Sequence, residues 1–177
     1  MHILIVYESM FGNTRRVAQA IAEGLRTSSE VEIVPVGQAT PLMVSAAEML
    51  IVGAPTHVHG MSSATSRHGA AEQATRPASA VSLEPNAEAA GIRDWLATLP
   101  KESGKPAVAF DTRIKAPSII TGRASSGIAK ALRAHGFEVV AEPESFLVTS
   151  QNELVEGELD RARSWAEGLV GGLVAIG

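Results

Sequence analysis

The chain has 177 residues, a formal net charge of −4 and no cysteine. This length suits one domain whose core needs no disulfide or structural metal, so we expect a single domain over residues 1–177. The absence of cysteine excludes thiol chemistry and thiolate metal sites, so any redox chemistry needs a bound cofactor. Lysine and arginine are scattered, which argues against a nucleic-acid partner. No apolar run approaches the roughly 20 residues of a bilayer span and no basic leader precedes the first run, which predicts a cytoplasmic protein without a membrane partner.

Short apolar runs that suit buried strands alternate with helical patterns along the chain. After the first run, Val17, Ile21 and Leu25 recur four residues apart while charged residues face away, which predicts an amphipathic helix from Thr14. The predicted strands are residues 3–7, 31–36, 49–54, 106–110 and 138–148, the last interrupted by Pro143. Further helices are predicted over residues 88–99, 125–135 and 157–170, and Gly171 and Gly172 should end or fray the last one.

This alternation predicts an α/β protein with a doubly wound sheet, in which about five mostly parallel strands carry helices on both faces. Residues 61–85 do not fit that scheme and are predicted to be a long loop with a weak helix over residues 64–75. Trp95 and Trp165 lie within helical patterns, so we interpret them as packing residues.

A polar turn, Ser9-Met10-Phe11-Gly12-Asn13-Thr14, joins the first strand to the first helix. Backbone N–H groups and the positive end of a helix dipole converge there, and such an arrangement binds phosphate without basic side chains. Ser9, Asn13 and Thr14 offer further donors, and Gly12 permits a close approach or a positive φ. The alternative is that the polar side chains only cap the helix. The sequence contains neither a dinucleotide-binding glycine pattern nor a P-loop.

At this turn the sequence resembles the flavodoxin family, whose loop in the same place reads Ser/Thr-x-Thr-Gly-x-Thr. Phe11 stands where that pattern has a threonine and removes one hydroxyl donor, although several members carry the same Ser-Met-aromatic-Gly pattern. The resemblance covers most of the chain in the order of its elements. It implies the strand order 2-1-3-4-5 and non-covalently bound flavin mononucleotide (FMN). The FMN would lie between the first and third strands, where the strand order reverses.

The third predicted strand leads into a second loop, Pro55-Thr56-His57-Val58-His59-Gly60. By the resemblance, Thr56 would meet the sugar alcohol of FMN and His57 or His59 would approach the flavin ring. Gly60 would mark a peptide that flips to accept a hydrogen bond from reduced flavin N5. Two alternatives stay open. The loop could be a surface turn with incidental histidines, or the two histidines could form a metal pair, for which no acidic or thiol ligand lies nearby in the sequence.

A third candidate loop, Asp111-Thr112-Arg113, follows the fourth predicted strand. Asp111 or backbone groups near it would face the pyrimidine edge of the ring, and the charge of Arg113 would stabilise the anionic reduced flavin. Alternatively, Asp111 and Arg113 form a solvated ion pair. Residues 122–127 would close the same rim. Short flavodoxins usually sandwich the ring between aromatic side chains from the second and third loops, and this chain has none in those loops.

Together these features favour an FMN-binding redox protein that carries electrons between partner proteins. The same site suits an FMN-dependent oxidoreductase that reduces a quinone or another small acceptor, and this alternative stays open. A flavin-free interaction module on the same fold is the third hypothesis. No catalytic residue and no metal site is predicted, and the expected partners are FMN and either a redox protein or a small acceptor.

Overall fold

The structure is a computed structural model that describes residues 1–57, 59–74, 82–85, 87 and 89–174. A seven-stranded sheet forms its centre, and every strand pair in it is parallel except the pairing of the short fourth strand with the third. The strands are β1 (His2–Tyr7), β2 (Glu30–Pro35), β3 (Met49–His57), β4 (Gly60–Met61), β5 (Pro106–Ile114), β6 (Glu138–Val139) and β7 (Glu144–Val148).

The strand order confirms the predicted topology. The main path runs β2-β1-β3-β5, and both β6 and β7 pair with β5. The two short strands are the halves of the predicted fifth strand, separated by a segment that contains Pro143, which cannot donate a ladder hydrogen bond. If β6 and β7 count as one strand and the short β4 is left out, the five core strands have the predicted order 2-1-3-4-5. The order therefore reverses between β1 and β3, whose register pairs Ile5 with Ile51.

Helices cover both faces of the sheet. They are α1 (Asn13–Leu25), α2 (Pro41–Ala46), α3 (Ala64–Ala74), α4 (Ile92–Leu96), α5 (Ser118–Thr121), α6 (Ala124–Ala134) and α7 (Glu158–Val174), with a 3₁₀ turn at Val36–Gln38. Alternate residues of the strands serve two separate cores, as the period of a strand requires. Ile3 and Ile5 pack with α1 and α7, whereas Leu4 and Val6 pack with α2, α4 and α6.

Several element boundaries differ from the predicted ones. The strands β3 and β5 continue to His57 and Ile114, beyond the predicted ends at residues 54 and 110. Helix α4 is shorter than the helix predicted over residues 88–99, and residue 88 lies outside the described ranges. Residue 75, the last residue of the predicted weak helix, also lies outside them. The long segment after β3 contains the predicted helix as α3.

The glycines at positions 171 and 172 do not end the last helix, because α7 continues to Val174. Tertiary packing stabilises the part of α7 before these glycines, since Ala162 and Ala166 are buried against α1. The two helices approach so closely that a Cβ at Gly24 would lie 2.5 Å from the carbonyl oxygen of Arg163. In the described ranges, none of the helices has the length and apolar character needed to cross a membrane.

Candidate functional site

The turn of residues 9–14, called the β1–α1 turn below, carries an open set of backbone donors. Gly12 has φ +88° and precedes α1 in the left-handed conformation that glycine adopts without strain. Its N–H donates to Ser9 Oγ at 3.1 Å. The N–H groups of Asn13 and Thr14 have no acceptor among the described residues. These donors and the positive end of the α1 dipole form a site for an anion.

The alternative that polar side chains merely cap the helix is wrong. Gly12 occupies the N-cap position and no side chain caps α1. The hydroxyl of Thr14 instead bonds that of Thr112 on β5 at 2.8 Å. Asn13 Nδ2 donates to the carbonyl oxygen of Asn152 at 2.7 Å. These two side chains therefore fix the turn to the sheet and to the loop after β7.

Two residues of the turn are apolar, and they meet a segment that sequence reasoning did not connect with the site. Met10 is buried, and its carbonyl oxygen accepts a hydrogen bond of 2.8 Å from the N–H of Glu84. The Glu84 carboxylate accepts from Arg15 Nε and Nη2 at 3.0–3.1 Å. A Cβ at Gly12 would lie 3.0 Å from Glu84 Oε1. A carboxylate thus lies directly beside the predicted phosphate site, and Phe11 is half-buried next to it.

The second predicted loop is largely strand. Pro55, Thr56 and His57 end β3, and Gly60 begins β4, which pairs back with His57. Val58 lies outside the described residues. Thr56 Oγ1 accepts the N–H of Ala124 at 2.9 Å, so this hydroxyl holds the start of α6 in the structure.

The two histidines have different environments. His57 is half-buried, and its Nε2 has no hydrogen-bond partner in the described part of the chain. Burial lowers the pKa of His57 below its usual value; Glu8 opposes this shift and Arg67 adds to it. His59 is exposed, with φ +71°. In the described ranges no three potential metal ligands cluster together, so the structure gives the metal-pair alternative no support.

A close backbone contact joins the second loop to the third. Gly122 has φ +70°, and a Cβ there would lie 2.1 Å from the carbonyl oxygen of His59. These two residues form an isolated parallel bridge. The segments after β3 and after β5 are therefore held together at the edge of the sheet where the β1–α1 turn lies.

Asp111, Thr112 and Arg113 lie within β5, not in a loop after it. Asp111 is fully buried, and its Oδ2 accepts the N–H of Ser125 at 2.8 Å, while Oδ1 has no partner in the described residues. Arg113 donates to the carbonyl oxygen of Ala116 at 2.6 Å. The predicted alternative of a solvated Asp111–Arg113 pair is therefore wrong, because the carboxylate is buried and bonds backbone.

A charged cluster, in which Glu8, Ser62 and Arg67 are buried and Asp94 is exposed, lies beside the site and was not expected from the sequence. Glu8 follows β1, is only 3% exposed, and accepts from the N–H of Ile92 at 2.8 Å and from the Ser62 hydroxyl. Arg67, also 3% exposed, donates to Ser62 Oγ at 3.1 Å and to Asp94 Oδ2 at 3.0 Å. The cluster connects the start of the β1–α1 turn with α3 and α4.

The two tryptophans take part in core packing. Trp95 is buried and its indole N–H donates to the carbonyl oxygen of Ala39 at 3.0 Å. Trp165 packs edge-on against Phe146, with 5.9 Å between ring centroids. Both tryptophans are packing residues, as predicted. The polar residues after β7, including Asn152, could have been found by applying the strand-end rule to the fifth strand.

Comparisons with known proteins agree with this architecture. A family model described as a flavodoxin domain matches residues 4–100, more than half of the chain. A flavodoxin of Aquifex aeolicus (strain VF5) is 38% identical over 58 residues, which span 32% of this chain and only 31% of that relative's length. Oxidised flavodoxin 1 from Bacillus cereus has a TM-score of 0.66 at 18% identity, covering 97% of this chain and 98% of that one. A flavodoxin from the domain Archaea has a TM-score of 0.65 at 19% identity, covering 97% of both chains. The structural likeness shows the fold, and the family match shows that this chain belongs to the flavodoxin family.

Proposed function

We propose that this chain binds FMN non-covalently at the carboxyl ends of β1, β3 and β5 and serves as an electron-transfer protein. The observation that carries the proposal is the β1–α1 turn. There the N–H groups of Asn13 and Thr14 lack an acceptor in the described chain, and Gly12 has a left-handed backbone. Dipole and donors both favour a phosphate at this point. Membership of the flavodoxin family supports FMN as the molecule that carries it.

The chain's own residues divide the work of binding. Residues 9–14 would hold the phosphate, and the segment from Pro55 to Gly60 would contact the ribityl chain and the ring. Bound FMN supplies the ability to accept and release one or two electrons. Asp111 is fully buried and bonds the N–H of Ser125, so its role would be to position the third segment beneath the site.

A carrier role is favoured over reduction of a small acceptor by exposed apolar side chains near the second loop. Ile119 and Ile120 on α5 are 92% and 62% exposed, and Ile114 at the end of β5 is 54% exposed. Helix α5 leads directly into Gly122, which contacts His59. Exposed apolar patches mark interaction surfaces, so a partner protein could dock beside the cofactor.

Titration with FMN and with riboflavin tests cofactor binding. We expect one FMN per chain, with a visible absorbance change and quenched flavin fluorescence. Riboflavin lacks the phosphate, so it should bind more than about tenfold more weakly, a difference of ~1.4 kcal/mol. A protein that stays colourless in excess FMN, without quenching, would refute the proposal.

Electron-transfer rates separate the carrier from the enzyme. The double substitution Ile119→Asp, Ile120→Asp should slow transfer from the reduced protein to a protein acceptor such as cytochrome c. It should leave reduction of ferricyanide unchanged, because that small anion needs no apolar docking surface. An equal effect on both acceptors would contradict the docking role of these isoleucines. Rapid turnover of a quinone with a nicotinamide reductant, unaffected by the substitutions, would favour the enzyme.

A further inference from the structure

We propose that Glu84 is a specificity residue at the phosphate end of the cofactor site, where its carboxylate opposes a dianionic phosphate and weakens FMN binding relative to neutral flavins. The inference rests on the proposed function, because it concerns the ligand of the β1–α1 turn. Glu84 lies 69 residues from Arg15 in sequence, so the juxtaposition is produced by the fold.

Two interactions hold Glu84 beside the turn, and a third distance shows how close its carboxylate lies to Gly12. The N–H of Glu84 donates to the carbonyl oxygen of Met10 at 2.8 Å, which fixes the backbone. Arg15 donates to the carboxylate from two nitrogens at 3.0–3.1 Å, which fixes the side chain. A Cβ at Gly12 would lie 3.0 Å from Glu84 Oε1, so the carboxylate is in contact distance of the glycine that shapes the turn.

The charges of Arg15 and Glu84 therefore offset each other. Arg15 lies in the first turn of α1, one residue after Thr14, where a cation would otherwise attract a phosphate. Its guanidinium donates to Glu84 in the structure. The Glu84 side chain is only 21% exposed, so solvent screens its charge incompletely. A phosphate bound to the open N–H groups of the turn gains no net attraction from Arg15, because the Glu84 carboxylate offsets that cation and Glu84 Oε1 lies nearer to Gly12 than Arg15 Nη2 does.

Arg15 and Glu84 also line a cavity next to the β1–α1 turn. A cavity of about 490 Å³ is lined by Phe11, Gly12, Arg15, Arg16, Glu84 and Asn152, among others. Arg16 is exposed and has no ion pair within the described ranges. The wall nearest Gly12 thus carries the paired carboxylate and guanidinium, since a Cβ there would lie 3.0 Å from Glu84 Oε1 and 3.7 Å from Arg15 Nη2, while Arg16 stands one residue farther along α1. Glu84 therefore offsets the cation that lies nearest to the proposed phosphate position.

Glu84→Gln tests the proposal directly. The substitution keeps the size of the side chain and the backbone bond to Met10, but it removes the negative charge that offsets Arg15. We expect the Kd for FMN to fall about tenfold at low salt and the Kd for riboflavin to change by less than about twofold. The gain for FMN should shrink as the ionic strength rises from about 0.02 M to about 1 M, because salt screens charges. Glu153→Gln is the matched control, since Glu153 lines the same cavity without bonding Arg15.

Each outcome decides the matter. Unchanged or weaker FMN binding by Glu84→Gln would overturn the specificity role, and so would an equal gain for riboflavin or for Glu153→Gln. FMN binding by Glu84→Gln where the parent binds weakly would support it. If neither protein binds FMN or riboflavin, the proposed function itself fails and this inference fails with it.

Discussion

The hydroxyls of Thr14 and Thr112 lie 2.8 Å apart and share a hydrogen bond, although the residues belong to different elements and are both buried. Thr14 is in the first turn of α1, and Thr112 is in β5. The bond therefore fixes the β1–α1 turn to the strand that supplies the third predicted segment. A turn fixed in this way is preorganised for its ligand.

Substitutions at this pair should separate stability from ligand binding. Thr14→Val and Thr112→Val each leave one buried hydroxyl without its partner, which should cost about 1–3 kcal/mol in the free energy of unfolding. The double variant should cost less than the sum of the two, because it removes both partners of one bond. Urea denaturation measures these values, and additive losses would contradict the coupling. Thr14→Val should weaken FMN binding more than Thr112→Val does, since only Thr14 belongs to the turn.

The order of the main elements could be predicted from the sequence because each strand and helix carries its own period. The extent of β3 and β5 could not be predicted. Pro55 and Asp111 resemble loop residues locally, yet the two strands pair with each other through Pro55–Thr112 and Ala54–Asp111. Such pairing is decided by residues that are distant in sequence, and it turns two expected loops into strand ends.

The candidate site also has one part that the local sequence predicts and another that only the fold brings together. The β1–α1 turn is contiguous, so its glycine and its donors could be recognised from residues 9–14 alone. Glu84 and Asn152 were not recognised because they reach Arg15 and Asn13 only through the fold, across 69 and 139 residues. Likewise, nothing in the local sequence indicates that Glu8 and Arg67 share a buried cluster.

Gly122→Ala should disturb the ring end of the site. Alanine at φ +70° is strained, and its Cβ would meet the carbonyl oxygen of His59 at 2.1 Å. We expect a loss of about 1–3 kcal/mol in stability and weaker binding of FMN and riboflavin alike, because the segment that carries His59 must shift. Gly157→Ala is the control, since Gly157 has φ +83° with open space around it. Equal destabilisation by both substitutions would show that backbone strain alone, and not the contact with His59, is responsible.

The buried cluster around Glu8 should contribute strongly to stability. Glu8→Ala deprives the N–H of Ile92 and the Ser62 hydroxyl of their acceptor, and it removes the carboxylate that Arg67 reaches through Ser62. Breaking one side of a buried charged network typically costs about 3–5 kcal/mol, so thermal and urea denaturation should both shift markedly.

Two comparisons check the explanation for Glu8. The double substitution Glu8→Gln, Arg67→Met should destabilise less than the sum of the single ones, because it removes both buried charges. Glu23→Gln, which breaks the exposed pair with Arg163 at 2.7 Å, should change stability little. A Glu8→Ala protein as stable as the parent would show that the cluster is not a structural support.

His57 should make stability fall as the solution becomes acidic. Burial lowers its pKa in the folded protein, while Glu8 opposes this shift and Arg67 adds to it. Nε2 has no hydrogen-bond partner among the described residues, so no acceptor there stabilises the protonated ring. Below the ordinary histidine pKa of about 6.5, the unfolded chain therefore binds a proton that the folded chain refuses. This contribution is absent above that pH and grows as the pH falls toward the lowered pKa. Urea denaturation measures the free energy of unfolding at about pH 7.5 and at about pH 5.5. This free energy should fall more between the two pH values for the parent than for His57→Gln. Equal losses in the two proteins would mean that His57 titrates normally.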